Sequence, residues 1–144
     1  AKIYCPVAAK TSTLTVMAIA VQYALDVHCL DVGKAFMQSD LGMANFFIKP
    51  FAGFTDLHPD WAPFGKDTTW ELLCSLYGLK QAAAVSYDTL RKANLAHTCA
   101  DGTKFRVSDH DPCVFIKGQL GSKRYICFST HIDDKFIASK CVPR

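Results

Sequence analysis

The stretch FSTHIDDKFIAS, residues 128–139, sets two adjacent carboxylates between two apolar, β-prone runs. Strands disfavour Asp, and like charges side by side repel. Asp133 and Asp134 therefore belong at a chain reversal, where Asp tolerates turn geometry and bonds its own backbone. RYICFST (124–130) and KFIAS (135–139) become antiparallel strands, and the acid pair falls at or beside the tip of a tight turn. Taken alone, an Asp-Asp turn has a plain structural reading. The arrangement still commits the end of the chain to an antiparallel sheet with negative charge at one of its ends.

The rest of the chain supplies partners for that sheet. TST (11–13) offers hydroxyl N-caps, and residues 14–25 are apolar nearly all round, which predicts a buried helix. VHCLDV (27–32) predicts a short buried strand interrupted at Asp31, with GKAF (33–36) turning away from it. NFFIK (45–49) and WELLC (70–74) are strand-like, and the Pro- and Gly-bearing residues 50–69 read as a loop. Residues 79–97 lack Pro and Gly and predict a helix, with Gly78 just before it. CVFIK (113–117) and GQLGSK (118–123) complete a hairpin with RYICFST. A mixed order with a mainly antiparallel end places the 144 residues in the α+β class, as a single domain.

Composition narrows the setting. Half of the residues are hydrophobic, which excludes wholesale disorder. The net charge of +3 is uneven: residues 1–79 carry −2 and residues 80–144 carry +5. A basic C-terminal half permits a polyanionic partner and does not demand one. Seven scattered cysteines with no C-x-x-C pair give no zinc signature and read as a reducing, intracellular setting. The longest apolar stretch, 14–25, is too short to span a bilayer, and the first residues lack the charged n-region and apolar h-region expected of a signal peptide. A start without Met and the closing KCVPR read as cuts in a longer polypeptide.

Asp31 repeats the pattern of the acid pair: a carboxylate at the end of an apolar strand, followed at once by a reversal. Strand ends present side chains to sites. Three carboxylates brought together need a counter-charge, and a hard divalent cation with oxygen ligands supplies it. Two such ions about 4 Å apart can clamp the attacking and leaving oxygens of a phosphoryl displacement.

LDVGKAF (30–36), SLYGLKQA (75–82), SDHDPCVF (108–115) and HIDDKFIAS (131–139) occur in the order seen in copia-type LTR-retrotransposon reverse transcriptases, and YCPVAAKTS (4–12) resembles the segment that precedes the first carboxylate there. The resemblance covers nearly the whole chain, and SLYGLKQA is its most specific element. It implies a right-hand polymerase palm, an antiparallel sheet packed on helices, with partial fingers; the thumb and RNase H domain would lie outside it. It implies RNA-directed DNA polymerase activity on an RNA or DNA template with primer, using dNTP and two Mg²⁺, with Mn²⁺ as a substitute.

Carried over residue by residue, Asp31 and Asp133 bind both ions, Asp134 is the second acid of the pair, and the Val32 carbonyl is a further ligand. Phe36 lies under the sugar of the incoming dNTP and excludes a 2′-OH. Gln81 touches the nucleotide and template. On the residues alone, Phe36 reads equally as core, Tyr77 and Leu79 as packing, and Lys80 as surface or phosphate contact. The implied partners are the remaining polyprotein domains, integrase and RNase H, in a cytoplasmic virus-like particle if the parent element is active; no membrane is involved. The chain departs from the family at His131, where Tyr is usual, and after GLKQA, where AAVSY replaces a Pro-Arg pair and an aromatic. The alternative function is a catalytically incompetent relic or a domesticated palm that binds nucleic acid or serves as a structural module.

Overall fold

A computed structural model describes residues 3–41, 46–64 and 68–140. Its centre is an antiparallel sheet of five strands in the order β1-β7-β6-β5-β4. The strands are β1 (Asp26–Asp31), β4 (Arg106–Val107), β5 (Val114–Lys117), β6 (Ile126–His131) and β7 (Asp134–Ser139). A two-stranded sheet, β2 (Phe47–Ile48) with β3 (Trp70–Glu71), stands apart from it. The helices are α1 (Lys10–Gln22), the single turn α2 (Phe54–Leu57) and α3 (Ala82–Ala96). The chain is thus a mixed fold in which an antiparallel sheet is combined with few helices.

The late hairpin forms as the alternation of its residues dictates. β6 and β7 pair from Ile126 opposite Ser139 to His131 opposite Asp134, leaving Ile132 and Asp133 as a two-residue turn. Cys127 and Ala138 are opposite one another and fully buried. They meet Val16, Ala20 and Leu25, so α1 and the residues after it cover one face of the sheet together with Val114 and Tyr125. Phe128, the next residue along β6, stacks on Phe115 with ring centroids 4.9 Å apart and 13° between planes.

Three expectations change on contact with the structure. First, the strand around 27–32 is not buried: β1 is an edge strand, and all six of its residues are exposed. An edge strand has one neighbour, and its apolar run reflects pairing with β7 rather than enclosure. Second, residues 50–69 are not a plain loop. Phe54 contacts Phe51, His58, Trp61 and Trp70 edge-on or tilted, and this aromatic group supports α2 and the 3₁₀ turn Pro59–Phe64. Ring contacts of that kind leave no periodicity to read. Third, α1 is only partly buried: Val16 and Ala20 face the sheet, while Leu14, Met17 and Val21 face outward. A helix with a single sheet beneath it cannot bury its whole circumference.

The ends of α1 are also set differently from expectation. The helix begins at Lys10, and its N-cap Ala9 has no side chain to offer. The cap comes from Asp111 instead, whose Oδ2 accepts the Ala9 N–H at 3.0 Å and whose Oδ1 accepts the Cys113 N–H at 2.8 Å. The C-terminus closes with Ala24 in the left-handed region (φ 46°) and the Leu25 N–H on the Ala20 carbonyl at 2.8 Å. That 6→1 bond usually recruits Gly, and here Leu25 anchors it by entering the core.

Burial by itself would push the Asp111 carboxyl up, but hydrogen bonds from the Ser12 hydroxyl and the Ala9 and Cys113 amides outweigh it and hold the group below its ordinary value. A depressed folded-state pKa contributes stability above the unfolded value and loses it as pH falls through the folded one. Asp111→Ala should therefore lower unfolding free energy at pH 7 by about 2 kcal/mol in urea titration, for the loss of a cap and of a buried charge-assisted bond. The gap between wild type and variant should close as pH falls below the ordinary carboxylate range.

Candidate metal centre

The pairing of β1 with β7 runs from Asp26 opposite Ser139 to Asp31 opposite Asp134. Directly opposed residues on antiparallel strands point to the same face, so the register itself sets two carboxylates side by side. The ladder extends one step further, with the Val32 N–H on the Asp133 carbonyl at 2.9 Å. It ties the exit of β1 to the tip of the hairpin. As a result one carboxylate oxygen from each of Asp31, Asp133 and Asp134 lies within 4.8 Å of the others. Asp31 and Asp134 are exposed and Asp133 is half-buried. Among the described residues this is the only group of three or more His, Cys, Asp or Glu so disposed.

The backbone around the acids is strained. Ile132 at φ 58° opens the turn directly before Asp133, and Lys34 at φ 55° follows Asp31 by three residues. A β-branched residue in the left-handed region costs of order 1–3 kcal/mol, and such positions persist where the surroundings over-determine them. Here the ladders on both sides of Ile132 do so.

The donor set is all oxygen and carries up to three negative charges. Hard divalent cations such as Mg²⁺ or Mn²⁺ suit it, and soft metals do not. The Val32 carbonyl already accepts the Ala35 N–H at 3.1 Å. A carbonyl has a second lone pair, so this bond leaves Val32 capable of one further interaction.

Phe36 lies in a 3₁₀ turn, Ala35–Gln38, that follows Asp31 closely. It is half-buried, and its ring meets Tyr77 edge-on at 4.6 Å and 75°. The ring is therefore neither free nor enclosed, and Tyr77, read from the sequence as packing, is its neighbour. Gly78 takes φ 94°, a conformation a side chain would strain, and turns the chain into α3. Gln81 is the last residue before α3, and its Nε2 is buried with no hydrogen-bond partner. α3, which follows it, packs on the 3₁₀ turn that carries Phe36. Lys80 and His131 are exposed, and His131 stands opposite Asp134 as the last residue of β6.

Sequence reasoning missed Lys135. Its Nζ lies 5.4 Å from the centre of the Phe128 ring and 3.4 Å from Asn94 Oδ1 of α3. Burial pushes its ammonium down from the ordinary lysine range. A lysine directly after two acids reads as surface in any sequence, and only the coverage of that face by α3 reveals the burial.

The site is thus an acidic, oxygen-only cluster at the end of an antiparallel sheet, with an aromatic turn beside it, and it could hold a hard cation. Residues 1–143 match the family described as reverse transcriptase (RNA-dependent DNA polymerase), and the chain belongs to that family. Among curated proteins it is similar to the retrovirus-related Pol polyprotein from transposon TNT 1-94 of Nicotiana tabacum, with 29% identity over 142 residues. That match covers 96% of this chain and 9% of the polyprotein. No solved structure matches. The membrane expectation meets one direct observation: among the described residues no helix is long and apolar enough to cross a bilayer.

Without a cation the three carboxylates oppose one another by about 1 kcal/mol per close, water-screened pair. Asp134→Asn should thus raise the thermal midpoint of the metal-free protein. Addition of about 10 mM Mg²⁺ should raise the midpoint of wild type and leave that of the variant nearly unmoved. An equal Mg²⁺ response in both proteins would count against a shared site.

Proposed function

We propose that this chain is the palm, with part of the fingers, of a retrotransposon reverse transcriptase, and that it joins a dNTP to a primer 3′-OH on an RNA or DNA template. The observation that carries this reading is the meeting of Asp31, Asp133 and Asp134 at one end of the sheet. The full 144 residues form one unit in this reading, and the thumb, RNase H and integrase regions belong to other parts of the parent polyprotein.

The roles follow from chemistry. Asp31 and Asp133 hold two divalent ions, with the Val32 carbonyl as a further ligand, and Asp134 stands nearer the primer end. Divalent ions held by these residues would supply charge neutralisation to the nucleotide phosphates. The chain's own contribution is positioning, and no covalent intermediate on the protein is needed. Phe36 bounds the sugar seat, where a 2′-OH would meet its ring, and Gln81, placed just before α3, is the residue that the family resemblance sets beside the nucleotide and template. The basic surplus of residues 80–144 is compatible with a polyanionic partner.

One observation favours a second reading, that of an inactive relic or a domesticated module. His131 opposes Asp134 where the family usually places a tyrosine beside the primer terminus. Primer extension on poly(rA)/oligo(dT) separates the two. The complete parent polypeptide should extend the primer with Mg²⁺, and Asp133→Asn should reduce the rate at least about 100-fold. Extension that survives the substitution would remove the metal-site reading, and absence of extension by wild type would favour the relic.

A further inference from the structure

Immediately after the acid of β1, the chain is held by a cluster of buried serines. The Ala35 carbonyl accepts two hydroxyls: Ser39 Oγ from its own turn at 3.2 Å and Ser86 Oγ from the second turn of α3 at 3.3 Å. Both serines are buried, as is Ala35. The Ser39 carbonyl in turn accepts the Ser75 N–H at 2.8 Å, which draws in the segment that bears Tyr77. A serine inside a helix ordinarily bonds its own preceding turn or faces water. Ser86 does neither; its hydroxyl leaves the helix to reach the loop that carries Phe36.

The geometry matters because a peptide unit is planar. The Ala35 carbonyl shares its plane with the nitrogen and Cα of Phe36. Two hydrogen bonds on that oxygen fix the plane from which the Phe36 ring is hung, and Tyr77 steadies the ring from the side at 4.6 Å. Either bond alone is long for a hydroxyl donor, whose usual distance is about 2.8 Å. The pair constrains the plane along two directions.

We infer that Ser86 is a positioning residue for sugar selectivity, holding the Ala35–Phe36 peptide so that the Phe36 ring closes the space a 2′-OH would need. This rests on the reading of Phe36 proposed above and adds to it the residue that sets the ring's place. No motif pointed to Ser86, since a lone serine amid the alanines of a helix carries no pattern.

The test uses the complete polypeptide that carries this chain, in primer extension on poly(rA)/oligo(dT) with dTTP or UTP. Ser86→Ala should lower the preference for dTTP over UTP about fivefold, the effect of one neutral hydrogen bond. Ser86→Thr, which keeps the hydroxyl, should stay within about twofold of wild type on the same ratio. Amide hydrogen exchange at residues 36–39 should rise in Ser86→Ala and not in Ser86→Thr. A serine that only supports folding would slow both nucleotides alike and leave their ratio unchanged. If Ser86→Ala does not fold, Ser39→Ala removes the other hydroxyl from the same carbonyl and is read on the same ratio. An unchanged ratio in Ser86→Ala, with the preference lost in Phe36→Val, overturns the role of Ser86 and leaves the site reading standing. An unchanged ratio in Phe36→Val overturns both the sugar gate and this inference. A wild type that extends no primer overturns the functional reading and the inference with it.

Discussion

The ladder between β1 and β7 holds the site together, because its register decides which side chains share a face. With Asp31 opposite Asp134, the two acids lie side by side, and the Val32 N–H on the Asp133 carbonyl brings the third into reach. A slip of one residue would send Asp31 to the other face. The acids alone would favour such a slip, since their proximity is repulsive. The opposing force is spread along the strands: six paired positions, with Ala138 buried beneath α1 and Phe136 packed against the same cluster. Hydrophobic burial at one end of β7 thus sustains electrostatic strain at the other.

The two longer helices hold this arrangement from opposite directions in sequence. α1 covers one face and is fixed at its start by Asp111, about a hundred residues away. α3 approaches the loops: Tyr87 donates its hydroxyl to the Pro112 carbonyl at 2.8 Å, Ser86 reaches Ala35, and Asn94 meets Lys135. Pro112 adjoins Asp111, so the short segment before β5 is held by both helices. Asp133 and Asp134 sit on the hairpin and Asp31 on the strand beside it, and the polar contacts that tie the neighbouring segments to the helices come from serine, asparagine, tyrosine and one carboxylate.

The legible parts of this molecule are those with a local signal. The hairpin of β6 and β7 could be read from strand alternation and from the poor fit of Asp inside strands. The family followed from SLYGLKQA and the ordered motifs around it. The acids stood out as carboxylates at strand ends, although spacing alone could not join Asp31 to the other two; the register between β1 and β7 supplies that link. Exposure was misread where it depends on neighbours. Residues 27–32 and the outer side of α1 look buried as isolated segments, and topology leaves β1 at the edge and α1 with one partner. β4, two residues long, has no pattern of its own, and α2 rests on rings that gather around Phe54. The TST hydroxyls looked like caps because caps are usually local; here the capping carboxylate comes from another part of the chain.

The distance in sequence between β1 and its partner strand β7 has a consequence for biosynthesis. Asp31 leaves the ribosome about a hundred residues before β7 exists, and the cap on α1 must also wait for Asp111. Long-range pairing of this kind delays assembly of the sheet until β7 has been made. During translation the cluster of three carboxylates is therefore absent, and it assembles in one late step, when the hairpin of β6 and β7 closes against an edge that has been waiting for it.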